Sequence, residues 1–132
     1  MITLDAGVLI ALFNAKDAHH EAAMKLLDAA TRSDDLLYMN PLSQAEVLVK
    51  AAQQGSEKIY YEKIVSIGVE TLAAPTDTGV WLAQLRARTG LKLPDCAVIL
   101  TAQQSGSKIA TFDHRLAREA RALGITVLPA AA

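Results

Sequence analysis

The sequence has one cysteine, Cys96, in 132 residues. It therefore offers no internal disulfide and no cysteine-built zinc site, and it suits a reducing, cytoplasmic setting. Aromatic residues are scarce, at 5%. Aliphatic side chains and alanine must fill the core, and stacked rings are not expected to dominate any nucleic-acid contact. An excess of either charge is also missing. The formal net charge is -1, so no strong basic field advertises a nucleic-acid partner, which leaves room for a local basic rim beside a local acidic site. No apolar run approaches the roughly 18 residues of a membrane helix, so no membrane partner is expected. The opening does not read as a secretory signal, because Asp5 breaks the apolar stretch and no basic segment precedes it. No repeat, low-complexity linker or domain boundary interrupts residues 1–132.

Hydrophobic residues are abundant instead, at 52%. That content supports a well-filled core in a chain long enough to bury roughly two-thirds of its unfolded surface. The periodicity alternates. Ile2–Leu4, Leu36–Met39, Val69–Ala73, Lys108–Thr111 and Ile125–Leu128 read as short strands. Helical spacing predicts helices over Val8–Phe13, His19–Ala30, the segment opening at Asn40-Pro41, Glu57–Ser66, the segment from Pro75 to Gly90, Cys96–Ser105 and Asp113–Leu123. Cys96–Ser105 is too apolar to face water and should pack against the sheet. Pro129 and the three alanines read as a frayed tail. The order implies an α/β domain with a mostly parallel central sheet of four to five strands, covered by helices on both faces.

Four carboxylates stand out in that frame. Asp5 and Asp113 each close a strand, Glu46 follows the second strand, and Asp95 opens the apolar helix. Each has an ordinary reading. The three aspartates precede helices, where Asp is a favoured N-cap, and Glu46 lies three residues after Ser43, the spacing of a capping box. Taken singly, capping outweighs catalysis. Taken together, all four can converge on the carboxyl edge of a parallel sheet, where such folds bind ligands. Clustered carboxylates repel and raise one another's pKa, and a divalent cation relieves that repulsion. Oxygen-only ligation suits Mg²⁺ or Mn²⁺, and a metal held this way activates water and stabilises charge on a phosphoryl oxygen.

The ordered segments carrying these residues are Leu4-Asp5 with Val8-Leu9-Ile10 behind it, Ser43-Gln44-Ala45-Glu46-Val47, Leu93-Pro94-Asp95-Cys96-Ala97-Val98-Ile99-Leu100-Thr101-Ala102, and Ile109-Ala110-Thr111-Phe112-Asp113. Their set resembles the PIN-domain ribonucleases of the VapC type, the toxins of bacterial toxin–antitoxin pairs. The resemblance implies a metal-dependent endoribonuclease with Asp5, Glu46, Asp95 and Asp113 holding Mg²⁺ or Mn²⁺, and with Thr111 orienting Asp113 or a water. It also implies an RNA substrate, a homodimer and a small cognate antitoxin that blocks the site. Some relatives carry a further acid soon after the fourth carboxylate; here His114, Arg115 and Leu116 follow, and the next acid is Glu119.

Two other classes fit less well. A receiver-like signalling domain needs an acidic pair after its first strand and a lysine after its last, but Asp5 stands alone and Lys108 begins its strand. A phosphatase with Asp-x-Asp is excluded by Gly7. A non-catalytic PIN-fold binding module would have no need of four carboxylates. The remaining polar residues read plainly. His19 and His20 open a helix, and His114 begins another. Arg115, Arg118 and Arg121 form a charged face that would suit either solvent or an RNA path, as would Lys50, Lys92 and Lys108. Tyr60, Tyr61 and Trp81 read as core or dimer contacts, Ile59, Tyr60, Trp81 and Leu85 as the apolar surface of a homodimer, and Cys96 as a small buried residue.

Overall fold

The computed structural model describes residues 1–129, so the three terminal alanines expected to fray lie outside it. Its five strands are β1 (Ile2–Leu4), β2 (Leu37–Met39), β3 (Val69–Thr71), β4 (Lys108–Ala110) and β5 (Val127–Leu128). Its helices are α1 (Ala6–Phe13), α2 (His20–Arg32), α3 (Pro41–Gln53), α4 (Glu57–Ser66), α5 (Thr78–Thr89), α6 (Leu93–Ser105) and α7 (His114–Ala122). The strands form one sheet in the order β3-β2-β1-β4-β5, and every pairing is parallel. The expected architecture is therefore present. Differences are confined to ends: α1 starts two residues before Val8, α6 starts before Cys96, and β5 is shorter than Ile125–Leu128.

β1 is central because it is apolar on both faces and can be covered twice. It pairs Ile2 with Leu37 on one side and with Lys108 on the other. Ile2, Leu4 and Ala110 join Val8, Leu9, Ala23 and Val47 in one core. Ile109 and Val127 join Cys96, Val98, Ile99, Leu116 and Ala120 in the second. The apolar helix α6 is buried over Cys96–Ala102, as its composition demands, and it packs on β1, β2 and β4. Each fully buried Leu or Ile contributes roughly 1.5–3 kcal/mol relative to exposure. Two such layers easily hold strand ends in place against repulsion among side chains at the edge.

Thr3 is the polar exception within β1. It is fully buried and shares a 2.6 Å hydrogen bond with Ser107 just before β4. That bond satisfies a hydroxyl whose burial unpaired would be costly. No helix among the described residues is long and apolar enough to cross a membrane.

Candidate active site

Every strand runs the same way, so the carboxyl ends of β1, β2 and β4 share one edge. Asp5 follows β1 directly, and its backbone N–H donates to the Ala110 carbonyl of β4 at 2.9 Å. The residue occupies the N-cap position of α1 without capping it. Its Oδ2 instead accepts a 2.7 Å hydrogen bond from the Thr111 hydroxyl, 106 positions along the chain. The same hydroxyl accepts from the Asp113 backbone N–H at 3.0 Å. Thr111 thus orients Asp5 through its carboxylate and Asp113 through its backbone, where orientation of Asp113 or a water was the expectation.

Asp113 closes the loop after β4 and caps α7. Its Oδ1 accepts from the backbone N–H groups of Arg115 at 2.9 Å and Leu116 at 3.0 Å. Asp95 does not cap. The N-cap position of α6 belongs to Lys92, and Asp95 is the third residue of the helix. There its charge still meets the positive end of the helix dipole. The capping box expected for Ser43 and Glu46 is absent. Asn40 caps α3, its Oδ1 accepting from the Ser43 N–H at 2.8 Å, with Pro41 in the first turn. Glu46 therefore lies in the second turn, beyond reach of any cap. Pro41 explains the shift, because proline has no N–H to satisfy and its fixed φ suits the first helical position.

The four carboxylates feel one another. Burial lifts the Asp5 carboxyl above the usual range; the Thr111 hydrogen bond opposes this, and the charges of Glu46 and Asp113 add to it. Burial also lifts Glu46, with Asp95 adding to it. Asp95 is pushed up to about 6, first by burial and then by Asp5 and Asp113, against the pull of Lys92 and Arg115. These mutual effects tie all four side chains to one electrostatic neighbourhood. Their spacing is looser than a closed ligand set: among the described residues, no three His, Cys, Asp or Glu side chains are placed to hold one ion as they stand. The donor chemistry nevertheless fits a hard divalent cation, since these four side chains offer carboxylate oxygens.

The sequence left Lys92 and Arg115 open to either solvent or an RNA path; in the structure the charges of both act on Asp95. Arg115 is held there by donating to the Gly90 carbonyl at 3.1 Å. Gly90 has a φ of +72°, and a Cβ on it would stand 3.1 Å from the guanidinium. Glycine is thus needed at that turn for conformation and for room. Its place two residues after Asp113 was a further sequence signal for Arg115.

The model of the PIN domain family matches residues 2–122. This chain belongs to the PIN domain family. Its fold is similar to that of a toxin–antitoxin complex from Klebsiella pneumoniae, with a TM-score of 0.71 at 22% identity over 86% of this chain and 87% of that one. It is similar to FitAcB from Neisseria gonorrhoeae, with a TM-score of 0.71 at 18% identity over 96% of each chain. It is also similar to VapC20 of Mycobacterium tuberculosis, a sarcin-ricin-loop-cleaving toxin, with a TM-score of 0.73 at 16% identity over 96% of this chain and 97% of that one. At such identities the likeness is one of fold. No curated protein matches in sequence.

Beside the acidic edge of this PIN domain lies an open groove between α1, α3 and α4, lined by Ile10, Phe13, Glu46, Val47, Lys50 and Tyr60. Phe13 meets Tyr60 edge-on at 5.6 Å, and the Lys63 ammonium sits 4.4 Å over the Tyr60 ring. Tyr60 is thus engaged within its own chain. Farther off, Leu85 is buried and does not belong to the exposed apolar surface expected of it. Ile59, Val80 and Trp81 are exposed. Cys96 is buried, and burial raises its thiol pKa, so it serves packing.

Proposed function

We propose that this PIN domain is a metal-dependent endoribonuclease that hydrolyses RNA phosphodiester bonds, the VapC-type toxin of a type II toxin–antitoxin pair acting in the cytoplasm. The observation that carries this reading is the meeting of Asp5, Glu46, Asp95 and Asp113, from four separate elements, in one electrostatic neighbourhood that raises the pKa values of Asp5, Glu46 and Asp95. A structure keeps such repulsion where function needs it.

Asp5, Glu46, Asp95 and Asp113 would hold Mg²⁺ or Mn²⁺, which supplies charge stabilisation at phosphorus and a more acidic water. The chain's own residues do the remainder. Thr111 keeps one Asp5 oxygen oriented, and the α7 cap keeps Asp113 turned to its helix. Asp95, pushed up to about 6 by burial and by Asp5 and Asp113, is the carboxyl whose charge a bound cation would relieve most. Lys92 and Arg115 offset the negative edge for an approaching phosphate.

Partners follow from the same reading. A cognate antitoxin segment seated in the groove of Ile10, Phe13 and Tyr60 would cover Glu46. A homodimer would bury exposed apolar side chains such as Ile59, Val80 and Trp81. Purified protein should cleave RNA with Mg²⁺ or Mn²⁺ and lose that activity in EDTA. Mn²⁺ should also raise its melting temperature, and less so for Glu46→Gln, whose cleavage should fall at least about tenfold, or about 1.4 kcal/mol in the barrier. Undiminished cleavage in EDTA would remove the metal from the mechanism.

A further inference from the structure

Phe112 stands between Thr111 and Asp113, in the loop that delivers both to the acidic edge. Its ring packs partly into the first core. The imidazole of His19, in the turn before α2, lies on that ring with centroids 4.5 Å apart and planes only 7° from parallel. His19 is held from both sides in sequence. Its N–H donates to Asp17 Oδ1 at 2.8 Å, and the neighbouring His20 ring bonds the Ala11 carbonyl at 2.8 Å, tying the turn to α1. Yet His19 itself is exposed. With one face on Phe112, whose neighbours in sequence are Thr111 and Asp113, its other face is open to solvent.

A flat ring, braced from behind and open in front, does little for stability. Covering Phe112 would need only an aliphatic side chain, and capping α2 would need an oxygen, whereas His19 makes no side-chain cap. What the geometry does provide is an exposed π-face backed by the residue that links Thr111 to Asp113. Unpaired bases stack on such faces, whereas bases within a duplex have their own neighbours.

We infer that His19, backed by Phe112, is a stacking platform for an unpaired nucleobase of the bound RNA. This rests on the ribonuclease reading above. It adds a binding residue to a site otherwise made of charges, and it accounts for recognition in a chain with few aromatic residues.

The test uses full-length protein carrying Asp5→Asn to halt cleavage, and a fluorescein-labelled, mixed-sequence single-stranded oligoribonucleotide. His19→Ala should weaken binding by about tenfold, in line with the loss of one base–aromatic stack. His19→Phe, which keeps the π-face and discards the ring nitrogens, should bind as the parent does. His19→Leu, which still shields Phe112, should bind as weakly as His19→Ala. The same oligonucleotide annealed to its complement should bind without regard to residue 19. A 2-aminopurine in the single strand should lose fluorescence on binding to the parent and not to His19→Leu. If leucine binds as well as histidine, His19 is only a cover for Phe112 and the platform is overturned. If the Phe variant fails along with Ala, the contact is made by the ring nitrogens and the platform is again overturned. If the native protein cleaves RNA in an EDTA-sensitive way while the parent and all three residue-19 variants bind equally, the nuclease reading stands and the platform alone falls. If native protein neither cleaves nor binds RNA, both fall.

Discussion

The β1–α1 and β4–α7 junctions share one local design: a short strand, an aspartate directly or three residues after it, and a helix beginning at the next residue. They use the aspartate differently. Asp113 directs one oxygen to two backbone N–H groups of its own helix. Asp5 makes no cap, and its oxygen takes the Thr111 hydroxyl from the neighbouring strand's loop. Asp113 can therefore serve its helix and the site together, whereas Asp5 is spent wholly on the site. The cost shows in α1, an almost wholly apolar helix that relies on burial of Ala6, Val8, Leu9 and Ala11 for its stability.

The contrast is sharpest in substitutions. Asp5→Asn keeps an oxygen for Thr111 and removes the charge. Cleavage should fall at least about a hundredfold, or about 2.7 kcal/mol in the barrier. The metal-free melting temperature should hold or rise, because repulsion is relieved. Steady-state kinetics and thermal melts on the same sample check both; an active Asp5→Asn enzyme would place the chemistry elsewhere. At the other junction, stability is what moves. Asp113→Ala should lose about 1 kcal/mol with its cap, and Asp113→Asn should lose almost none, since Asn caps as well as Asp. Urea melts would distinguish them, and equal stabilities would mean that the cap carries no weight.

The smallest effect is in pH. The Asp95 carboxyl rises from 3.8 to about 6 on folding. A folded pKa above the unfolded one means that the folded state holds its proton more tightly, so this contribution is present at low pH and is lost as pH rises from about 4 to about 6. Metal-free protein should melt a few degrees higher at mildly acidic pH than at neutral pH. Asp95→Asn should narrow that gap, and Mn²⁺ should narrow it by favouring the deprotonated carboxylates. A gap unchanged in Asp95→Asn would assign it to other groups.

Much of this was legible in the sequence, for local reasons. Strand–helix alternation, the buried α6 and the glycine ends of α5 and α6 follow from periodicity and backbone preference. The carboxylates could be gathered to one edge because a parallel sheet has only one carboxyl edge. What escaped depended on competition between neighbours or on distance. Ser43 and Glu46 have the spacing of a capping box, but Asn40-Pro41 claims the cap three residues earlier. Leu85 looked available as surface, but α5 turns it into the second core, where it meets Leu91 and Cys96. Thr111 on Asp5 and His19 on Phe112 join segments about 90 residues or more apart, and no local pattern reports such pairs.

That separation gives the pairing of β1 with β4 a meaning in time as well as in space. A ribosome makes Asp5 106 residues before Thr111, so β1 waits for the strand at its side. Closing so long a loop is slow, because its entropy is lost before the contacts form. A nascent or prematurely terminated chain that stops short of β4 lacks both Asp113 and the hydroxyl that seats Asp5. The acidic edge is therefore assembled only once β4 and the loop after it have been made.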